Sequence, residues 1–164
     1  MNPYKHISIP NQQQAHEIIS ELKKLRNDFI FAWVGDDILR VALEEKIEEL
    51  DIKEYFKLLG IRSDIPEILN CSDAFLMPSL FEGMPISMVE AQCCGCKCFV
   101  SDRVTKMADM TDGLYLPITD PKRWAMEIDA YLSSNIEKKY PSKDMLLKFT
   151  SEFMADEISK AYLS

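Results

Sequence analysis

The segment from Ala74 to Cys94 most constrains the fold, because it combines a buried strand, a tight loop and a mostly apolar helix. Residues 74–78 (AFLMP) form the short apolar run that is typical of a strand inside a parallel sheet. Pro85 suits a first helical position, and the residues from there to Cys94 favour a helix. Ligands of open α/β sheets bind at the carboxyl ends of strands, where a helix start offers free N–H groups to an anion. The loop is therefore a candidate ligand site.

Two carboxylates flank this loop and helix. Glu82 lies in the loop, and Glu90 is the only ionisable side chain between Pro85 and Gln92. The apolar composition of this helix predicts that other parts of the protein cover it on most sides. Burial of a carboxylate is costly unless hydrogen-bond donors bind it. Hydroxyl groups of a ligand, such as those of a ribose, are suitable donors. The spacing of Glu82 and Glu90 leaves an alternative open, in which Glu90 is half exposed or hydrogen-bonded to a local partner.

Apolar patterns predict further strands and helices that alternate along the chain. Asp64 or Ser63 can cap the short third helix. The predicted strands are residues 5–10, 29–34, 55–59, 74–78 and 96–100, and Gly113 leads into residues 114–116, to which no element is assigned. The predicted helices are residues 12–25, 38–50, 65–70, 85–94, 121–132 and 143–163, with one helical turn within 103–112. This alternation favours an α/β fold with a doubly wound, Rossmann-like parallel sheet.

Composition narrows the possible partners. The net charge is −8, from 19 basic and 27 acidic residues, which argues against a nucleic-acid or anionic-membrane surface. With only five glycines, the chain has neither a Gly-x-Gly-x-x-Gly nor a P-loop pattern, which disfavours dinucleotide dehydrogenases and nucleoside triphosphatases. We expect one domain over residues 1–164, with no signal peptide and no apolar run near the ~20 residues of a membrane span.

Four of the five cysteines lie within residues 93–98, and Cys93 and Cys96 have the C-x-x-C spacing of zinc and redox sites. A structural zinc needs four ligands, and the sequence has no second pair of this kind. We therefore favour the alternative, in which these cysteines are small apolar residues at a helix-to-strand junction. Reduced thiols indicate the cytoplasm.

Several segments carry a resemblance to a known family. Residues 78–85 (PSLFEGMP), followed by Glu90-Ala91, resemble the E-x7-E signature of retaining GT-B glycosyltransferases, with seven residues between Glu82 and Glu90. Members of that family use nucleotide-sugar donors to assemble capsular and other surface polysaccharides. Four further segments follow the family's order: residues 33–36 (WVGD), 59–65 (LGIRSDI), 71–79 (CSDAFLMPS) and 100–102 (VSD).

The resemblance, which spans about residues 29–132, implies that this chain is a donor-binding GT-B half-domain. It implies retaining transfer of a hexosyl group from a nucleotide-diphosphate sugar, with no metal or other cofactor. Glu82 would be the catalytic residue and hold hydroxyls of the donor sugar, while Glu90 would accept hydrogen bonds from the ribose. Pro85 lacks an N–H and would shape the loop. The donor would also face the backbone amides of Gly83, Met84, Ile86 and Ser87.

The resemblance also places the nucleobase near the Gly35 and Arg62 loops. Arg62 can equally be a surface residue paired with Asp64. The family usually has an Arg and a Lys just after the first strand, and they neutralise the donor diphosphate. Here residues 9–14 (IPNQQQ) contain neither. The cation that neutralises the diphosphate is therefore expected to be missing or to come from another chain.

The family's N-terminal acceptor domain is absent from this sequence, so we expect the chain alone to be an incomplete enzyme. Three hypotheses follow: half of a glycosyltransferase, as a fragment or a subunit of a split enzyme; an inactive sugar-nucleotide-binding or scaffolding module; or a remnant without a ligand. Expected partners are a nucleotide sugar, an acceptor-domain chain that could also supply peripheral membrane association, and a second copy. The terminal helix, within residues 141–163, packs on the other domain in the family.

Overall fold

The structure, a computed structural model, describes residues 5–9, 14–35 and 40–150, with the backbone alone for 5–9 and Arg40. Its strands are β1 (Lys5–Ile9), β2 (Phe29–Val34), β3 (Phe56–Gly60), β4 (Ala74–Met77), β5 (Lys97–Ser101) and β6 (Leu114–Leu116). They form one sheet in the order β3-β2-β1-β4-β5-β6, and all neighbouring strands are parallel. The predicted parallel sheet is therefore confirmed.

Helices connect these strands on both faces of the sheet. They are α1 (Ala15–Leu22), α2 (Arg40–Glu49), α3 (Ile65–Asn70), α4 (Ile86–Cys93), α5 (Pro121–Ser133) and α6 (Lys143–Leu147), with a 3₁₀ turn at Lys106–Ala108. Side chains of α1, α2 and α5 share one core cluster, whereas those of α3 and α4 share the other. The fold is thus doubly wound.

The central strand β4 shows why both faces are apolar. All four of its side chains are buried. Ala74 and Leu76 belong to the core beneath α1 and α5, and Phe75 and Met77 belong to the core beneath α4. Successive side chains of a strand point to opposite faces, so a strand covered on both sides must be apolar at every position.

The sheet order determines where a ligand can bind. The strand β1 lies between β2 and β4, and the chain order reverses at the β1–β4 pair. In open α/β sheets the crevice outside the carboxyl ends of two such strands is the usual binding site. The loop of residues 78–85, which follows β4, lies at this point. The residues that follow β1, 10–13, lie outside the described part of the chain.

Most predicted elements are confirmed, several with bounds shifted by one or two residues, and the larger differences are in the helices. The first helix is α1, Ala15–Leu22, which is shorter than the predicted 12–25. The last helix was predicted over 143–163, but α6 ends at Leu147, and residues 151–164 lie outside the described residues. Residues 38 and 39 of the second predicted helix also lie outside them. Within residues 5–9, 14–35 and 40–150, no helix is both long and apolar enough to cross a membrane.

Candidate functional site

The loop of residues 78–85 begins inside the protein and then turns out to solvent. Pro78 and Ser79 are buried, whereas the side chain of Phe81 is 80% exposed. The hydroxyl of Ser79 donates a hydrogen bond to Oε1 of Glu82 at 3.1 Å. Because Ser79 is buried and cannot move freely, this bond holds the Glu82 carboxylate over the loop. Sequence reasoning missed Ser79, although its S-x-x-E spacing to Glu82 is that of a capping box.

The sequence predicts Pro85 as the first residue of the helix. In the structure Pro85 is the N-cap of α4, and the helix begins at Ile86. The φ of −78° and ψ of 81° of Pro85 are those of the central residue of an inverse γ-turn. The N–H of Ile86 closes this turn on the carbonyl of Met84 at 2.9 Å. Proline suits the position because its ring restricts φ to about −65°. The sharp turn directs the chain from the loop into the helix.

The turn decides which amides are available to a ligand. The N–H of Ile86 is already bonded inside the loop, which argues against its predicted contact with the donor. The N–H groups of Gly83, Met84 and Ser87 have no hydrogen-bond partner among the residues that the structure describes. Two amides of the loop and one in the first turn of α4 are therefore free to bind an anion or a hydroxyl.

Glu90 lies on the outer side of α4 and is exposed. The helix buries Met88, Ala91 and Gln92, and it leaves Ile86 65% exposed. The expectation that α4 is covered on most sides is therefore wrong, because only one stripe of the helix meets the sheet. Since Glu90 is already solvated, burial gives no reason to expect a ligand there. Its proposed role depends on the family resemblance.

The two loops predicted to hold the nucleobase lie at the same edge of the sheet. The N–H of Gly35, which has a φ of +137°, bonds to the carbonyl of Gly60 at 3.0 Å and ties the ends of β2 and β3 together. By strand spacing, the end of β3 is about 14 Å from the end of β4. An extended nucleotide sugar could span such a distance, so the placement is compatible with the prediction.

Arg62 forms a two-point ion pair with Asp64, with Nε–Oδ1 at 2.8 Å and Nη2–Oδ2 at 2.6 Å. Both side chains are partly exposed, and the hydrogen bonds from Arg62 lower the pKa of Asp64. This geometry agrees with the surface-pair alternative for Arg62. Asp64 is the N-cap residue of α3, which is one of the two predicted alternatives, but its side chain makes no cap hydrogen bond and pairs with Arg62 instead.

Two cations, Arg103 and Lys106, follow β5, the strand beside β4. The ammonium of Lys106 lies 5.0 Å from the centre of the Tyr115 ring, and Tyr115 pairs with Val100 near the end of β5. The side chain of Arg103 is mostly exposed, with Nε 3.8 Å from Oδ1 of Asp102. Sequence reasoning did not single out either residue as a site residue.

The cysteine cluster packs as small apolar residues. Cys94, Cys96 and Cys98 are buried, while Cys93 is exposed. The thiol of Cys96 lies 3.2 Å from the carbonyl oxygen of Leu69. Burial raises the pKa of Cys96 to about 12, which keeps this thiol protonated and unreactive. Among the described residues no three His, Cys, Asp or Glu side chains are grouped as metal ligands.

Comparison with known proteins identifies the family. A profile of the family described as "Glycosyl transferases group 1" matches residues 6–134. The chain therefore belongs to the group 1 glycosyltransferases, a family with the GT-B fold. The predicted family is confirmed at this level, while retention and the roles of the E-x7-E residues stay predictions.

Two relatives show what the chain is similar to. The UDP-Gal:alpha-D-GlcNAc-diphosphoundecaprenol alpha-1,3-galactosyltransferase of Escherichia coli is 45% identical over 76 residues, which cover 46% of this chain and 20% of that protein. The N,N'-diacetylbacillosaminyl-diphospho-undecaprenol alpha-1,3-N-acetylgalactosaminyltransferase of Campylobacter jejuni is 33% identical over 112 residues, which cover 63% of this chain and 29% of that protein. The chain thus spans less than a third of either relative.

Solved structures share the fold. HepE of Anabaena, in complex with UDP and glucose, superposes with a TM-score of 0.81 at 16% identity, over 98% of this chain and 48% of that one. A glycosyltransferase of Rickettsia africae superposes with a TM-score of 0.79 at 20% identity, over 97% of this chain and 47% of that one. The chain therefore has the Rossmann-like fold of about half of each protein.

Proposed function

We propose that this chain is the donor-binding half of a retaining glycosyltransferase, which transfers a sugar from a nucleotide-diphosphate sugar to a polysaccharide or lipid-linked acceptor. One observation carries the proposal: the free amides of Gly83, Met84 and Ser87 and the held carboxylate of Glu82 lie together at the reversal of strand order. Family membership gives this crevice a substrate class. The UDP in the HepE complex and the diphosphoundecaprenol acceptors in the relatives' names support the same donor and acceptor classes.

The residues at this crevice act through charge and hydrogen bonding. Negative charge builds on the diphosphate as the glycosidic bond breaks, and amides already aimed at that charge stabilise it. Glu82 accepts hydrogen bonds from hydroxyls of the donor sugar, and Glu90 accepts them from the ribose. The scheme uses no protein-bound metal.

The cation that the family places after the first strand has a candidate substitute in this chain. Lys106, with Arg103 beside it, is proposed to approach the diphosphate from the loop after β5. We expect Lys106→Met to weaken binding of UDP about tenfold while uridine, which has no phosphate, binds as before. Lys122→Met, an exposed lysine at the start of α5, is the matched control. Equal losses for UDP and uridine would exclude Lys106 as a diphosphate ligand.

Calorimetric titration with UDP-glucose, UDP-galactose and GDP-mannose tests the donor site. The wild type is expected to bind one of them, and Glu90→Ala is expected to weaken that binding about tenfold through loss of a charge-assisted hydrogen bond. Glu45→Ala, on the exposed face of α2, serves as the control. If none of the three sugar nucleotides binds to the wild type, the proposed function is rejected.

Transfer is proposed to need an acceptor domain, which a partner chain can supply. Co-expression with such a chain should produce transfer of the sugar, and NMR of the product should show that the anomeric configuration of the donor is retained.

Residues 9–14, which lack the family's Arg and Lys, favour a second candidate: an inactive sugar-nucleotide-binding module. Binding of the donor without transfer in the co-expressed pair would support that module.

A further inference from the structure

Gln92 is a fully buried polar residue on α4, and every hydrogen-bonding group of its carboxamide is used. The oxygen accepts from the N–H of Met110 at 2.6 Å and from the N–H and hydroxyl of Thr111 at 3.0 and 3.1 Å. The nitrogen donates to the carbonyls of Met88 at 3.1 Å and Ala108 at 2.7 Å. Such a network fixes the orientation of the amide, because a flipped group would set its N–H against other N–H groups.

Four of these bonds join α4 to the segment of residues 102–113, and the one to Met88 lies within the helix. Both α4 and this segment leave the carboxyl end of a strand, β4 or β5, and lead back to the amino end of the next one. They lie side by side on one face of the sheet, where Met88, Val104 and Ala108 share a core cluster. Gln92 therefore connects the two elements whose first residues border the candidate site.

We propose that Gln92 is a positioning residue, which fixes the last turn of α4 against the segment 102–113 and, through this two-turn helix, the direction of its start. The other contacts between the two elements are apolar and without direction, so they permit the helix to roll or slide. The four hydrogen bonds to Ala108, Met110 and Thr111 do not permit such movement. Glu90 is two residues from Gln92, about 200° around the helix. The inward bonds of Gln92 thus set the outward direction of Glu90.

This inference deepens the proposed function, since the amides and carboxylate that Gln92 orients are those of the donor site. A donor bound at the start of α4 depends on the spacing between the loop 78–85 and the loop after β5. Small misplacement of such groups lowers affinity and rate even when the ligand-contacting residues are intact.

Hydrogen exchange and UDP binding of the full chain test the proposal with two variants. Gln92→Met keeps the size and shape of the side chain but loses all five bonds. It should speed amide exchange in residues 83–90 and 102–111 at least about fivefold more than in α5, and it should weaken UDP binding about tenfold. Ile128→Val, a buried change in α5 on the other face of the sheet, is the control for general destabilisation and should do neither.

Gln92→Glu adds a pH test that a general loss of packing would not pass. Burial raises the pKa of the introduced carboxyl. At pH 5 its neutral form can still donate to the carbonyl of Ala108. At pH 8 the ionised form has no proton to donate, and its oxygen would be repelled by the carbonyl oxygen of Ala108. Relative to the wild type at each pH, this variant should bind UDP nearly normally at pH 5 and as weakly as Gln92→Met at pH 8.

The outcomes separate this inference from the proposed function. If exchange in Gln92→Met rises equally in all helices, or if UDP binding by Gln92→Glu relative to the wild type is the same at pH 5 and pH 8, Gln92 is not a positioning residue. If the wild type binds no UDP, the proposed function fails, and exchange in residues 83–90 and 102–111 still decides whether Gln92 positions the start of α4.

Discussion

At the scale of single residues, the direction of Glu82 depends on one buried hydroxyl. Ser79 is 1% exposed, and its bond to Glu82 joins the buried and exposed parts of the loop. A carboxylate in a solvent-facing loop would otherwise sample several rotamers, and ordering it only when the donor binds would cost affinity.

We therefore expect Ser79→Ala to lower the affinity for a nucleotide sugar about three- to tenfold, with a loss of about 1 kcal/mol in stability. Ser72→Ala is a matched control, because Ser72 is also buried and bonds through its hydroxyl to the carbonyl of Ile68 at 2.8 Å. Calorimetry and chemical denaturation measure the two effects. Equal affinity losses in both variants would show that Ser79 acts only through stability.

The thiol of Cys96 provides a prediction about pH. Its pKa is raised from 9.0 to about 12 by burial, so the folded protein keeps this proton where the unfolded chain releases it. Stability from this group is therefore complete below about pH 9 and declines as the pH rises toward 12. At pH 8, iodoacetamide should modify the exposed Cys93 and leave Cys96 unmodified until the protein unfolds. Mass spectrometry of the digested protein measures this, and rapid labelling of native Cys96 would contradict it.

At the scale of elements, a lysine outside the helices holds two helix ends together. The ammonium of Lys138 donates to the carbonyl of Asn70, at the end of α3, at 2.8 Å, and to that of Cys94, after α4, at 3.1 Å. Carbonyls at helix ends lack partners in their own helix and attract positive charge. The connection ties α3 and α4 at the amino edge of the sheet, opposite the candidate site.

Lys138→Met should therefore lower the free energy of unfolding by about 1 kcal/mol while leaving affinity for the donor unchanged. Lys139→Met is the neighbouring control, because Lys139 is exposed and pairs with the partly exposed Asp112. Urea denaturation measures the stabilities. A change in donor affinity in Lys138→Met would show that the two edges of the sheet are coupled.

At the scale of the whole molecule, apolar side chains are exposed around the candidate site. Leu80, Phe81, Met84 and Ile86 all belong to the loop after β4 or the start of α4, and Phe81 is the most exposed of them. Adjacent exposed apolar residues are typical of a surface that another protein or domain covers. We expect the isolated chain to self-associate as its concentration rises.

Light scattering at increasing protein concentration tests this expectation. The double variant Phe81→Ser/Ile86→Ser should reduce the apparent mass at high concentration. Met126→Ser, which removes an exposed apolar side chain from α5 on the other face of the sheet, should not. A wild-type protein that stays monomeric throughout would contradict the prediction.

Local patterns were sufficient to predict much of this fold. The bounds of β2 and α3 agree with those predicted, because each has a continuous apolar run or clear turn residues at its ends. The parallel, doubly wound architecture followed from the alternation of strands and helices. For the site, the sequence located the loop and the helix start, because a strand, a loop with Gly83 and Pro85, and a helix follow each other directly.

Other features depend on neighbours that are distant in sequence or on the three-dimensional path of the backbone. The γ-turn at Pro85 uses the amide of Ile86, and packing on one side only leaves Glu90 in solvent. The network of Gln92 joins residues 16 to 19 positions apart. Periodicity reports which residues are apolar, not which side of a helix meets the sheet. The sequence by itself thus determined the elements and the class of fold. The tertiary structure decided which groups at the site are free, hydrogen-bonded or exposed, because hydrogen bonding and burial depend on neighbours that are distant in sequence.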